Sequence, residues 1–332
     1  MTAAPLVQVN NVSRVYDLSK PWLERVTGGL PRQILVAAAN VTFEIGHRET
    51  FGLVGESGSG KSTVARIVVG LTAPSAGEVV IENVSMTDPA QGGARTKLRR
   101  RIQMVFQDPY ASLDPRWRAF DIIAEPIRAF SLARGRADIA HRVNDLLRLV
   151  GLDPMDGAKY PHEFSGGQRQ RIAIARTLAS EPDFIVCDEP TSALDVSVQA
   201  QILNLLRDLQ DRLGLTYLLI SHNLAVVRHM ASRIGVMYLG RIVEVAPSKT
   251  LFHRPRHPYT RMLLDAVPDL DLTGRQRKPV EGEIPNPVNP PGGCAFHPRC
   301  PHANGRCKRE LPRALPADSV IVACHAVEEG RI

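Results

Sequence analysis

Apolar positions in this chain first alternate in short runs and later recur every three or four residues. Residues 6–16 alternate in part and predict an opening strand that ends near Tyr16. Residues 17–33 contain two prolines and a Gly-Gly pair, which predicts a loop. Short apolar runs bounded by polar residues predict further strands at 41–45, 50–54, 78–81, 102–106, 184–188 and 218–221.

A helical pattern dominates the middle of the chain. From Trp117 to Val150, apolar residues recur at spacings of three and four, which predicts helices in an inserted helical subdomain. An early β-rich part followed by a strand, a loop and a helix is typical of an α/β nucleotide-binding core with an antiparallel subsheet. We therefore expect that fold class.

One glycine-rich stretch lies between the apolar run 50–54 and the helix-prone run that begins at Thr63. It reads G-x-x-x-x-G-K-S and consists of Gly55, Glu56, Ser57, Gly58, Ser59, Gly60, Lys61 and Ser62. Glycines let consecutive backbone N–H groups point at phosphates, and the helix dipole adds positive potential. The pattern predicts a phosphate-binding loop in which Lys61 reaches the terminal phosphates and Ser62 binds Mg²⁺.

Polar side chains follow three of the predicted strands. Gln107 follows 102–106, Asp188 and Glu189 end the run that begins at Phe184, and His222 follows 218–221. In a parallel sheet, groups at strand ends lie at the nucleotide edge. Asp188 is expected to hold magnesium and Glu189 to polarise water. A salt-bridging pair of carboxylates and a core or surface histidine are the plainer alternatives.

A second anion-binding helix start is predicted at Ser165-Gly166-Gly167-Gln168. Ser165 can cap the helix that follows, and the glycines leave backbone N–H groups exposed. Taken alone, this stretch is better explained as a capped helix start. Tyr16 could stack on a nucleotide base, or be a core or edge tyrosine.

The order and spacing of these motifs resemble those of an ABC-type ATPase. Over nearly its whole length the chain is similar to the ATP-binding subunits of oligopeptide, dipeptide and nickel importers, and in particular to the second of their two ATPase subunits. Residues 107–116, 192–201 and the stretch His257-Pro258-Tyr259-Thr260 carry that resemblance. The signature begins with Phe164 rather than the general leucine, as is common in this subfamily.

The resemblance implies a head-to-tail pair of ATPase subunits, in which Ser165–Gln168 of one closes over ATP on the phosphate loop of the other. It assigns Glu189 as general base, His222 as γ-phosphate sensor and Gln107 as the link to magnesium and to the permease. It also assigns Asp195 as a contact across the dimer and Tyr16 as adenine stacker. It implies two transmembrane permease subunits, an extracytoplasmic solute-binding protein, a non-identical partner ATPase and a peripheral place on the cytoplasmic membrane face.

Composition agrees with that class. At 332 residues and 44% hydrophobic, the chain can bury a large core, and it has neither a signal-peptide pattern nor a long apolar run. The net charge of +7 comes from scattered Arg and Lys, apart from a cluster at 97–101, and is attributed to solubility. We expect an ATPase domain at 1–250, with its helical subdomain at about 112–170, and a C-terminal extension at 251–332.

The extension is rich in proline at 279–301, which predicts irregular structure there. It contains Cys294, Cys300, Cys307 and Cys324, while Cys187 is interpreted as a packed thiol. Four thiolates could close loops around a metal, but the spacing lacks the C-x2-C pairs of ordinary zinc modules. In some relatives the arrangement resembles the ligands of a 4Fe-4S cluster. Cluster, empty thiols and zinc all stay open.

Two alternatives to import would use the same ATP-binding core. A soluble ABC-type ATPase acting on nucleic acid or ribosomes would use the basic charge and the tail as contacts. Against it, the chain has one ATPase cassette and no long coiled coil, so no nucleic acid is expected. A regulatory subunit without hydrolysis would lack Glu189 or His222, and both are present.

Overall fold

The computed structural model describes residues 4–29, 31–266 and 282–332. Its strands are β1 (Val7–Asp17), β2 (Ile34–Ile45), β3 (Thr50–Val54), β4 (Ala76–Ile81), β5 (Val84–Ser85), β6 (Ile102–Val105), β7 (Phe184–Asp188), β8 (Thr216–Ser221), β9 (Arg233–Tyr238), β10 (Arg241–Pro247), β11 (Leu315–Ala317) and β12 (Val320–Val322).

The helices begin with α1 (Trp22–Gly28), α2 (Lys61–Val68), α3 (Gly92–Arg99), α4 (Pro109–Ser112), α5 (Ala119–Ala129), α6 (Arg136–Leu149) and α7 (Gly166–Leu178). They continue with α8 (Val196–Leu213), α9 (Leu224–Met230), α10 (Ser248–His253), α11 (Pro258–Asp265), α12 (Gly305–Arg309) and α13 (His325–Glu328). No helix in the described ranges is long and apolar enough to cross a lipid bilayer.

The loop predicted for 17–33 is wrong over α1. Pro21 lies at the N-cap, and Gly29 ends the helix in the left-handed conformation, with φ of 60°. Proline is well suited to a helix start and glycine to a helix end. The same residues that indicated a loop therefore mark the two ends of a short helix.

The chain forms two compact units. One comprises Ile45–Thr50 and Asp88–Ser221. In it β7 pairs in parallel with both β6 and β8. All five residues of β7 are buried, as expected of a parallel strand covered on both faces. Helices α4, α5, α6 and α8 all contact α7, so the predicted helical segment is a packed bundle around one central helix.

The other unit comprises Pro5–Glu44, Phe51–Thr87 and the described part of 222–332. One of its sheets has the order β2-β1-β4-β5, in which β1 and β4 are antiparallel. Its second set of strands pairs β3 with β9 in parallel, and β9, β10, β12 and β11 follow as antiparallel neighbours. The tail strands β12 and β11 thus extend the sheet that contains β3.

The core of this second unit joins the ATPase part to the tail. Val54, Val236 and Tyr238 from the central strands are buried together with Tyr259 and Phe296 from the tail. Residues 267–281, which belong to the predicted extension and include part of the proline-rich stretch, lie outside the described residues. The boundary predicted at 250/251 remains a prediction.

Candidate functional site

The phosphate loop joins the fully buried strand β3 to helix α2. Gly55 and Gly60 have φ of +155° and +101°. A Cβ atom would lie 2.1 Å from the Met237 carbonyl oxygen at Gly55 and 2.0 Å from the Ala37 carbonyl oxygen at Gly60. Only glycine fits at these two positions, so the sequence pattern follows directly from the close backbone packing.

Lys61 begins α2, and its ammonium group is held inside the loop. Nζ donates to the Gly55 carbonyl oxygen at 2.8 Å and to the Glu56 carbonyl oxygen at 2.9 Å. The Ser59 N–H also donates to the Glu56 carbonyl oxygen, at 3.2 Å. Lys61 is only 5% exposed, so a positive charge lies buried at the centre of the loop, where an anionic group gains most from it.

The remaining loop residues surround this charge. Ser57 and Gly58 are exposed and Ser59 is buried, whereas Ser62 and Thr63 lie half-buried in the first turn of α2. No side chain caps the start of that helix. Its first N–H groups and the helix dipole are therefore directed at the loop, which makes the loop a fitting site for the phosphates of a nucleotide.

The same unit contains two tail residues that contact Glu56. Arg299 donates to both Glu56 carboxylate oxygens, at 2.8 and 3.0 Å, and the Glu56 N–H donates to the Tyr259 hydroxyl at 3.0 Å. Sequence reasoning assigned neither residue a role. Tyr259 belongs to a stretch that carries the family resemblance, but nothing in the pattern points to the loop.

In the other unit the ends of β6 and β7 bring Gln107 and Glu189 together. The Gln107 Nε2 atom donates to the Glu189 Oε2 atom at 3.1 Å. Asp188 is the last residue of β7 and is 4% exposed, whereas Glu189 is half-buried and Gln107 exposed. The glutamine and one of the two carboxylates therefore lie in direct contact beyond these strand ends.

Glu189 has an unusual backbone conformation. Its φ of +48° lies in the left-handed region, which costs a non-glycine residue energy. The Glu189 N–H donates to the Ile220 carbonyl oxygen at 3.0 Å, and the Ser192 N–H and hydroxyl both donate to the Glu189 carbonyl oxygen. These bonds fix the direction in which the carboxylate leaves the strand.

Ser165 caps helix α7 as predicted. The Gln168 N–H donates to the Ser165 hydroxyl at 3.3 Å, and the Ser165 N–H donates to the Gln168 side-chain oxygen at 2.9 Å. This reciprocal pair is a capping box. A Cβ atom at Gly167 would lie 2.5 Å from Val198 Cγ1, so the second glycine permits close approach of α8. Gly166 beside it is half-buried.

The three other predicted residues occupy surface positions. His222 is exposed between β8 and α9, and Asp195 is exposed at the N-cap position of α8. Tyr16 is half-buried near the end of β1, with the Arg14 guanidinium 4.6 Å from its ring centre.

The four tail cysteines are free thiols in a partly buried region, and Cys187 is a buried thiol in β7. Burial raises the pKa of Cys294 to about 11. The neighbouring thiols of Cys307, Cys324 and Cys300 raise this pKa further. The Cys294 N–H donates to the Cys307 carbonyl oxygen at 2.8 Å, and Cys294, Cys300 and Cys324 pack against the same hydrophobic core. Yet in the described part of the chain no group of three or more His, Cys, Asp or Glu side chains is arranged to hold a metal ion. As they lie here, the thiols do not form a ligand set for a cluster.

Comparison with known proteins gives the class. The ABC transporter family matches residues 38–192, and the oligopeptide/dipeptide transporter C-terminal region matches residues 243–307. Two dimeric structures of the same ATP-binding cassette align with TM-scores of 0.63 and 0.62, each at 31% identity over 73% of this chain and 98% of the cassette. One of them is in a post-hydrolysis state bound to ADP and Pi. The fold is that of an ABC-type ATPase.

Full-length relatives narrow the class further. A probable peptide ABC transporter ATP-binding protein of Sinorhizobium fredii is 48% identical over 96% of this chain and 89% of its own length. An oligopeptide transport ATP-binding protein of Bacillus subtilis is 44% identical over 98% of this chain and 99% of its own length. The chain belongs to the family of ABC transporter ATP-binding subunits that carry the oligopeptide/dipeptide C-terminal region, and it is an ATPase.

Proposed function

We propose that this chain hydrolyses ATP to drive import of peptides, or of a related solute, through a separate transmembrane permease. The observation that carries the proposal is the combination of an ATPase core with the C-terminal region at 243–307. A di/tripeptide transport ATP-binding protein of Pseudomonas aeruginosa, 48% identical over 98% of this chain, supports it. None of the relatives named above is a nucleic-acid-binding or ribosome-associated protein by its description.

Each site residue has one part in the proposed hydrolysis. The loop Gly55–Ser62 and Thr63 bind the phosphates of ATP, with Lys61 neutralising charge on the terminal phosphates, while Tyr16 stacks on the adenine. Glu189 accepts a proton from the attacking water, and Gln107 orients the Glu189 carboxylate by its hydrogen bond. His222 donates a hydrogen bond to the γ-phosphate. Transfer of a phosphoryl group to water depends mainly on such positioning and on charge neutralisation.

The proposed metal ligands are oxygen donors, as magnesium prefers. Ser62, Gln107 and Asp188 supply a hydroxyl, an amide oxygen and a carboxylate, and Asp188 is buried at the end of its strand. When bound, Mg²⁺ neutralises charge on the phosphate oxygens.

We further propose that two ATPase subunits work head to tail. The element Ser165–Gln168, together with Asp195, then serves the ATP of the partner subunit, so each chain carries half of two sites. The well-formed capping box at Ser165 supports a preorganised helix start for this role. A non-identical partner, two permease subunits, an extracytoplasmic binding protein and a place on the cytoplasmic membrane face complete the proposal.

Reconstitution tests this function. The chain is purified with the permease and ATPase subunits encoded beside its gene, placed in liposomes with the matching solute-binding protein, and assayed for ATP hydrolysis with short peptides. Peptide-stimulated hydrolysis and peptide uptake are expected. Hydrolysis that responds to RNA or ribosomes, and not to any peptide or peptide-like solute, would overturn the proposal.

We propose three alternative uses for the four tail cysteines: they hold a 4Fe-4S cluster, they bind zinc, or they remain free thiols. Closeness of the thiols supports a shared use, but their present arrangement is not a ligand set. Iron and zinc analysis after anaerobic purification, with a visible absorbance spectrum, separates the three. Colourless, iron-free protein would rule out the cluster.

A further inference from the structure

We propose that Arg299 and Tyr259, two residues of the C-terminal region, are positioning residues for the phosphate loop. They act through Glu56, the second residue of the loop. The inference rests on the proposed role of Gly55–Ser62 in binding ATP, and it adds a function for the tail. In this function the tail holds the nucleotide site in its working shape.

Arg299 forms a bidentate ion pair with Glu56 of the loop. Nη1 and Nη2 of Arg299 lie 2.8 and 3.0 Å from the two Glu56 carboxylate oxygens, across 243 positions of sequence. The Arg299 side chain is 2% exposed and that of Glu56 18% exposed. Paired, parallel hydrogen bonds of this kind fix orientation as well as distance, and burial protects them from screening by salt. Glu56 therefore has little freedom to turn.

An aromatic cluster holds Arg299 in place. Its guanidinium carbon lies 5.8 Å from the ring centre of Tyr238 and 5.9 Å from that of Phe296. Tyr238, Tyr259 and Phe296 pack on one another with ring centres 4.6 to 5.4 Å apart. Because this cluster belongs to the buried core of the unit, the ion pair is attached to a rigid support.

Tyr259 fixes the backbone of the same residue. Its hydroxyl accepts the Glu56 N–H at 3.0 Å, so that N–H is directed at the tail. The Glu56 carbonyl oxygen is bound on the other side by Lys61 Nζ at 2.9 Å. The peptide groups on both sides of Glu56 are thus held, and the loop begins its turn around Lys61 from a fixed point.

Charge gives the pair a second effect. Glu56 places a carboxylate within a loop that binds phosphates, and a nearby negative charge would repel an anionic nucleotide. Arg299 neutralises this carboxylate, and the Glu56 hydrogen bonds raise the pKa of Arg299, so the guanidinium stays charged. Removing Arg299 would free Glu56 to move and would also leave its charge uncompensated.

The test is the equilibrium affinity for ATP, measured with a fluorescent ATP analogue on the intact chain, together with thermal unfolding. Arg299→Ala is expected to weaken ATP binding about tenfold, which is within the range of coupling for directly contacting groups. Glu56→Gln combined with Arg299→Ala should recover only the part of that loss that comes from the uncompensated charge, and the part caused by the lost positioning of Glu56 should remain. Tyr259→Phe, which keeps the ring packing, should weaken binding about threefold.

Arg306→Ala is the matched control. Arg306 lies in the same tail and forms ion pairs with Glu310, Glu328 and Glu329, away from the loop. The Arg306→Ala substitution should leave the ATP affinity unchanged even if it lowers the unfolding temperature. If Arg299→Ala does not fold, Arg299→Met, which keeps the apolar stem, replaces it in both the single and the double variant.

Two results would overturn the inference. One is ATP binding by the Arg299 variant that is as tight as in the unaltered chain, or tighter. The other is a double variant that binds ATP as tightly as the unaltered chain, since the loss would then come from charge alone and not from the lost positioning of Glu56. If Lys61→Ala also left ATP binding unchanged, the assignment of the phosphate loop itself would fail, so the two failures are distinguishable.

Discussion

Gln107 Nε2 donates to Glu189 Oε2 at 3.1 Å, so the amide at the end of one parallel strand holds the carboxylate at the end of its neighbour. Glu189 also has a strained backbone conformation, with φ of +48°. A general base must be oriented before it can accept a proton from water. The pair has the geometry of a base and the group that orients it.

We predict that Glu189→Gln binds ATP but hydrolyses it about 10²- to 10⁴-fold more slowly, the usual contribution of a positioned base. The amide replaces the carboxylate without a change in size, so binding should survive. Turnover is measured with the purified complete complex, and ATP affinity serves as the control. Undiminished turnover would contradict the role given to Glu189.

We predict that Lys61→Ala weakens ATP binding itself. The change removes a buried positive charge that now bonds to the carbonyl oxygens of Gly55 and Glu56. Lysine at this position of such a loop interacts with the terminal phosphates, so loss of its charge should raise the ATP dissociation constant by about tenfold or more. Lys61→Arg is the matched variant that keeps the charge but not the shape. An unchanged dissociation constant for Lys61→Ala would count against the loop.

Local patterns were sufficient to predict the local structure around the proposed site residues. The glycines of the tight loop, the capping Ser165 and the carboxylates at the end of β7 each follow from a short stretch whose chemistry is local. These residues lie where the pattern predicted, because a tight turn, a helix start and a strand end are set by neighbouring residues. The fold class could be predicted for the same reason.

Contacts between distant parts of the chain were beyond the sequence. Arg299 and Glu56 are 243 positions apart, and no local pattern pairs them. Strands β9 and β10 were not predicted either. They place the Met237 carbonyl oxygen against Gly55 of the loop and form the part of the sheet that β12 extends. Helix α1 was missed for a different reason, since Pro21 and Gly29 have the same residue types in a loop and at helix ends.

We predict that stability falls as the pH drops below about 6.5, partly because of His257. Burial lowers the pKa of His257 to about 3, and the positive charge of Arg261 acts in the same direction. Its Nδ1 atom accepts the Tyr259 N–H at 3.0 Å, and the Glu244 carboxylate accepts the backbone N–H groups of Arg256 and His257. The folded chain therefore keeps this ring neutral.

The sign follows from where the proton binds. In the unfolded chain, His257 binds a proton below its ordinary pKa of 6.5. In the folded chain, it binds this proton only near pH 3. Stability is thus fully present above 6.5 and is lost on the way down to 3, by about 2 kcal/mol at pH 5 relative to pH 7. Urea unfolding across this range is the measurement. His257→Asn, whose amide oxygen can replace Nδ1 as the helix-capping acceptor, should show a flatter pH dependence. An identical slope in both proteins would refute the prediction.

The side-chain amide of Gln170 is buried. It lies in α7, is 1% exposed, and neither its Nε2 nor its Oε1 atom has a hydrogen-bond partner among the described residues. An unsatisfied buried amide costs about 1 to 3 kcal/mol, whereas an apolar side chain of similar length costs nothing in desolvation.

Gln170→Met should therefore raise the free energy of unfolding of the isolated chain by about 1 to 2 kcal/mol. Gln168→Met in the same helix is the matched control, and it should lower that free energy by about 1 kcal/mol because it breaks the capping box with Ser165. Urea unfolding measures both. Destabilisation by Gln170→Met would mean that the buried amide is satisfied in solution, so that its polarity, rather than its volume, keeps α7 in place.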